Sequence, residues 1–94
     1  MTFLYSLQAL IQERQANPPP GSYTAKLFSQ GKDEIMKKVG EEAIEVILAA
    51  KGQGRERLIA EIADLLYHTL VLLAACGVSL AEVEAELERR HVNR

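Results

Sequence analysis

The chain has 94 residues, 48% of them hydrophobic, and residues 1–94 read as a single domain with one core. A lone core of this size leaves only a modest stability margin, so help from a second copy suits the length. The formal net charge of -2, with acidic and basic residues spread through the chain, excludes a basic footprint for nucleic acid and a polybasic patch for a membrane, so an anionic substrate would need local positive charge or a metal ion.

Residues 1–6 lack the basic start and sustained apolar stretch of a signal peptide, and Glu13 and Arg14 follow soon after, which points to a cytoplasmic location. Residues 3–15 place Leu4, Leu7 and Ile11 at helical spacing, with Leu10 to the side, and end at Asn17-Pro18-Pro19-Pro20-Gly21, a stiff linker. Ser22 then suits the cap of a short helical piece over 23–28, since its hydroxyl can accept a bond from a free first-turn amide, and Gly31 breaks the chain. A long amphipathic helix is expected from 33 to about 51, closed by Gly52-Gln53-Gly54, and another from 55 to 76, stopped by Gly77. Ser79 followed by Glu82 fits a capping box and opens a final helix through about His91. No strand alternation competes with these helices, so the fold class is all-α.

The single cysteine, Cys76, excludes an intrachain disulfide, suits a reducing compartment and reads as a buried small hydrophobe. Residues 65–81 carry no formal charge and approach the length of a membrane span, but His68, Thr69, Ser79 and Gly77 interrupt them, so they read as a buried soluble helix plus a turn. The helix over 55–76 is apolar nearly all round, with Leu58, Ile59, Ile62, Leu65, Leu66, Leu70, Val71, Leu72 and Leu73. Such a helix needs cover on most sides. A homo-oligomer, most simply a two-fold dimer, supplies it; the alternative is a monomer with that helix fully internal.

Charge also appears where packing alone would put leucine. At about 100° per residue, Glu42 shares a sector with Ile35, Val39 and Val46, while Glu45 lies roughly 60° away at its edge. On the next long helix Glu61, Asp64, His68 and Leu72 form one row. Burying several like-charged carboxylates costs several kcal/mol each unless they are paired, protonated or bound to a cation. A hard divalent metal resolves the conflict, and all-oxygen ligation favours magnesium, manganese or calcium over zinc, with magnesium the default where a substrate brings phosphates. The plainer alternative makes Glu41, Glu42 and Glu45 a solvated face paired with Lys37 and Lys38, although lysine N-terminal to glutamate is the weaker orientation. His68 has four roles open to it: orienting the Asp64 carboxylate, meeting a substrate phosphate, acting as a satisfied core histidine and, least favoured, ligating a metal directly.

The run Lys38-Val39-Gly40-Glu41-Glu42-Ala43-Ile44-Glu45, with Glu61-Ile62-Ala63-Asp64 after it, resembles the E-E-x-x-E and E-x-x-D signature of the all-alpha nucleoside triphosphate pyrophosphohydrolases, the group of MazG proteins and dimeric dUTPases. Within that group, Ser22-Tyr23-Thr24-Ala25-Lys26-Leu27, Tyr67-His68-Thr69-Leu70-Val71-Leu72-Leu73 and Glu86-Leu87-Glu88-Arg89-Arg90-His91 look like the phosphoribosyl-ATP pyrophosphatases. The likeness runs from about Leu4 to His91, and the chain has no room for the cyclohydrolase domain fused to some relatives, which implies the stand-alone form.

The resemblance implies a four-to-five-helix MazG-like bundle completed by homodimerisation, acting in the second step of histidine biosynthesis. It implies hydrolysis of phosphoribosyl-ATP between the alpha and beta phosphates, giving phosphoribosyl-AMP and pyrophosphate. It carries the family's metal ligands onto Glu42, Glu45, Glu61 and Asp64, with Mg2+ as cofactor and Mn2+ as a substitute. Glu41 and Glu45 both remain candidates for the base that takes the proton of the attacking water. Lys26, Lys38 and the amide-rich turn at Ser22, Tyr23 and Thr24 suit the anionic substrate, with His68 beside them. Arg89, Arg90 and His91 suit either a partner subunit's site or the negative end of the last helix. Two other functions compete: a housecleaning nucleotide pyrophosphohydrolase, and a non-enzymatic helical dimerisation module that docks a partner protein through its acidic face.

Overall fold

In the computed structural model, which describes residues 2–92, five helices and no strand occur among the described residues: α1 Phe3–Ala16, α2 Tyr23–Gln30, α3 Lys32–Gly52, α4 Arg55–Ala75 and α5 Leu80–His91. The single-domain reading over 1–94 also takes in residues 1, 93 and 94, which lie outside the described residues.

The local causes are those of capping and turn chemistry. The Ser22 hydroxyl accepts from the Ala25 amide at 3.2 Å and starts α2, which runs to Gln30, two residues beyond the expected end. Gly31 makes that extension compatible with an immediate restart: at φ 98° it ends α2, its N–H bonds the Phe28 carbonyl, and α3 begins at the next residue. An L side chain rarely adopts that conformation. Ser79 and Glu82 form the expected capping box, each side chain bonding the other's backbone amide.

Ile11 of α1, Leu27 of α2, Ile35 of α3, and Leu70 and Val71 of α4 form the buried core. Leu4, Leu7, Phe28, Leu73 and Leu80 pack around it. The short Gln53–Gly54 connection folds α4 back along α3 as a helical hairpin, the most extensive pairing in the chain, and α1 and α2 close one side of it. Polar bonds tie α1 to the C-terminal part of the chain: Gln8 accepts from the Leu80 amide, Gln15 donates to the Ala74 carbonyl, and Tyr5 bonds Glu84.

One expectation is corrected, and one alternative is set aside. Cys76 is exposed, because it caps the C-terminus of α4 where the chain turns away from the core at Gly77. Nor is α4 fully internal in one chain: Ile59, Ile62 and Leu66 stay 57%, 41% and 45% exposed, beside exposed Ile44, Ile47 and Leu48 of α3. The radius of gyration, 14.6 Å, exceeds the roughly 12 Å of a compact chain this long. By length and composition α4 is apolar enough to cross a membrane, yet it buries Glu61 and His68 along with Leu70 and Val71 and carries the packing of α1 and α3.

The capping box gives a first test. Ser79→Ala is expected to destabilise the protein by about 1 kcal/mol in urea melts. The backbone amide and then the hydroxyl of Ser79 hold the Glu82 carboxyl below its ordinary value. A depressed folded-state value contributes stability that is present at neutral pH and lost as pH falls through the carboxylate range. The difference between wild type and Glu82→Gln should therefore shrink on acidification, and a difference independent of pH would contradict this account.

Candidate active site at the α3–α4 seam

The α3–α4 hairpin brings together three of the sequence-derived carboxylates. Oxygens of Glu42 from α3 and of Glu61 and Asp64 from α4 all lie within 4.8 Å of one another. Helical geometry explains this, since Glu61 and Asp64 are three residues apart on one face and Glu42 sits on the stripe of α3 that meets it. The cluster is graded in depth: Glu61 is 5% exposed, Glu42 half-buried and Asp64 exposed. Glu41 and Glu45 line the same cleft, of about 490 Å³, together with Ile44 and Arg57. Glu45 lies outside the tight triad, and Glu41 pairs with Lys38 at 3.7 Å.

The electrostatics follow from this crowding. Burial, and after it the charge of Asp64, raises the Glu42 carboxyl above its ordinary value; Glu61 adds to the rise, while His68 and Lys38 oppose it. Arg57, one turn before Glu61, meets it at 2.9 Å. This cation was missed in the sequence, although 57, 61, 64 and 68 run along one row of α4 and the spacing was there to be read. One arginine cannot neutralise three carboxylates. The donor set is all oxygen, and ligand oxygens around magnesium at about 2.0–2.1 Å stand at most about 4.2 Å apart, so a modest closure of the triad fits a hard divalent cation.

His68 occupies the satisfied-core position. Its Nδ1 donates to the Asp64 backbone carbonyl at 2.7 Å, and in the neutral ring Nε2 accepts from the Tyr23 hydroxyl at 2.9 Å. It contacts the backbone of Asp64 and makes no hydrogen bond to the carboxylate. Thr24 bonds the Tyr67 hydroxyl. Ser22, Tyr23 and Lys26 line a second hollow with Pro18, Pro19 and Ser29, and this hollow shares no lining residue with the carboxylate cleft. Tyr23 still lies within the field of the cleft: burial raises its hydroxyl, Lys38 opposes the rise, and Tyr67, Glu42 and Asp64 add to it. Arg89 and Arg90 both bond Glu86 within α5.

Residues 4–91 match the model of the phosphoribosyl-ATP pyrophosphohydrolase family. The chain belongs to that family. It is 53% identical over 87 residues to the phosphoribosyl-ATP pyrophosphatase of Metallosphaera sedula, covering 93% of this chain and 94% of that one. It is 50% identical over 91 residues to the phosphoribosyl-ATP pyrophosphatase of Leptospira biflexa, covering 97% and 99%. A histidine biosynthesis bifunctional protein of Oceanobacillus iheyensis is 48% identical over 88 residues, and the chain spans 41% of its length. Family membership bears out the resemblance drawn from the E-E-x-x-E run and the 22–27 and 67–73 segments, and the all-α class holds with it.

Arg57 supplies the test of the electrostatic picture. Replacing it with alanine leaves Glu61 buried against two other carboxylates. Because Arg57 is half-exposed, solvent screening limits the expected loss to about 1 kcal/mol in metal-free protein. Chemical denaturation without divalent cations measures it, and an unchanged midpoint would mean that the pair does not relieve the cluster.

Proposed function

We propose that this chain hydrolyses phosphoribosyl-ATP to phosphoribosyl-AMP and pyrophosphate, the second step of histidine biosynthesis, as a magnesium-dependent cytoplasmic homodimer. The observation that carries the reading is the convergence of Glu42, Glu61 and Asp64 in a chain matched to its family over residues 4–91. A solvated helix face has no need to bury Glu61 or to crowd it with two further acids.

In this reading Glu42, Glu61 and Asp64 would hold magnesium. When bound, the ion would neutralise charge on the phosphate oxygens and lower the pKa of the attacking water. Glu45 lies in the cleft but outside the triad, so it is the carboxylate left to take the water's proton as the new P–O bond forms and the anhydride bond to pyrophosphate breaks. Glu41, which pairs with Lys38 at 3.7 Å, is the second candidate for that proton. Lys38, once turned from Glu41, and Lys26 supply positive charge to the triphosphate.

The homodimer rests on the open face of the hairpin. Ile59, Ile62 and Leu66 of α4 leave more apolar surface in water than a small core can spare.

Two experiments decide these points. Pyrophosphate release from phosphoribosyl-ATP should require magnesium and exceed release from ATP or dUTP, and Asp64→Asn should stay folded while turnover falls more than about a hundredfold. Turnover of ordinary nucleotides alone would discard the substrate. A stabilised Asp64→Asn protein, with no turnover by wild type on any nucleotide, would favour the docking module. In sedimentation equilibrium the wild type should show about twice the 10.4 kDa chain mass and Ile62→Lys should move it toward one, whereas a monomeric wild type would discard the dimer.

A further inference from the structure

Two consecutive residues of the first turn of α2 are bonded to two consecutive residues of α4. Tyr23 donates to His68 at 2.9 Å, and Thr24 bonds Tyr67. The rings reinforce the pairing: Tyr23 stacks on Tyr67 with centroids 6.2 Å apart, and His68 stands edge-on to both. The direction of the Tyr23 bond is fixed from the far side of the imidazole. A backbone carbonyl only accepts, so Nδ1 carries a proton, and in the neutral imidazole Nε2 is then the acceptor for the Tyr23 hydroxyl. The histidine that holds α2 is thus itself anchored to the turn of α4 that carries Asp64.

This clamp lies between the two regions that a phosphate-rich substrate has to touch. On one side is the hollow at the start of α2, with Lys26; on the other is the carboxylate cleft. The Pro18–Gly21 linker precedes α2 and Gly31 follows it, and Leu27 is its one buried side chain. α2 packs chiefly on α3 and α1, with Leu27 and Phe28 against the core, so the clamp is what ties its first turn to α4.

We propose that His68 and Tyr67 are positioning residues for the proposed hydrolysis: through Tyr23 and Thr24 they hold the first turn of α2 in the one arrangement that accepts the substrate. The role differs from that of the acids. When binding-competent protein is only a fraction of the total, apparent affinity falls by that fraction, while the complex once formed reacts at its usual rate. Loosening the clamp raises KM and leaves kcat in place.

The test uses the full chain with saturating magnesium. His68→Leu and Tyr67→Phe should each raise the KM for phosphoribosyl-ATP about threefold to tenfold, the range of one lost hydrogen bond, with kcat within about twofold. His68→Gln, which keeps a side-chain acceptor on the same turn, should recover most of the KM. Adding Thr24→Val to Tyr67→Phe should give no further rise, since both remove one bond. An unchanged KM with a lowered melting temperature would overturn the proposal in favour of a purely structural clamp. A fall in kcat at constant KM would overturn it in favour of a direct part in the chemistry. If wild type fails to turn over phosphoribosyl-ATP, the hydrolysis reading fails, and calorimetric binding of inorganic tripolyphosphate with magnesium still tests the clamp: weaker binding by His68→Leu supports it, equal binding overturns it.

Discussion

Glu42, Glu61 and Asp64 repel one another across the α3–α4 seam, and the hairpin has to hold them together against that repulsion. It does so with apolar burial on both sides of the acids: Ile35 and Ala49 on α3, and Leu70 and Val71 on α4. Each fully buried aliphatic side chain of the size of isoleucine, leucine or valine contributes about 1.5–3 kcal/mol, so a few of them offset the crowding that Arg57 relieves only in part. The Glu42 carboxyl is raised by its burial first and by the charge of Asp64 after it. A bound cation, as proposed for this cleft, would remove the conflict at its source and would couple folding to ligation.

The rest of the fold can be understood as support for that seam. α1 lays Ile11 into the core and reaches the C-terminal part of the chain through Gln8, Gln15 and Tyr5. α2 adds Leu27 and closes on α4 through paired hydroxyl and imidazole contacts. The opposite face of the hairpin, with Ile59, Ile62 and Leu66, has no cover in one chain. Apolar and acidic surfaces of α4 thus serve different ends: one row holds charge in a cleft, and the face across the helix offers area for association.

Much of this was legible in the sequence because the signals were local. Glycines at 31, 52, 54 and 77 and the Ser22 and Ser79 caps mark the helix ends, and the 42, 61 and 64 positions stand out as acids on otherwise apolar stripes. What was not legible depends on which elements meet. The position of Cys76 turned on where the chain leaves the core, and the two further residues of α2 on how abruptly Gly31 can restart a helix. The bond from His68 to Tyr23 joins residues 45 apart in sequence, and no periodicity reports a partner at that distance. Arg57 is the exception, a local signal that was present and went unused.

The arrangement also bears on how an acidic cleft can serve an anionic substrate. Glu41, Glu42, Glu45, Glu61 and Asp64 face one cleft with Arg57 as the cation in its lining, so a triphosphate approaching unaided would be repelled. In the proposed function, cations between substrate and protein would reverse that sign, and the same carboxylates would then give orientation as well as attraction, because the helices fix their spacing. Lys26 stands in a different hollow, which suits a long substrate with phosphates spaced along its length. The clamp between Tyr23, Thr24, Tyr67 and His68 sets the distance between these two regions. On this account the acids select for a cation-bound anhydride, while the spacing of α2 from α4 selects for a substrate long enough to reach both.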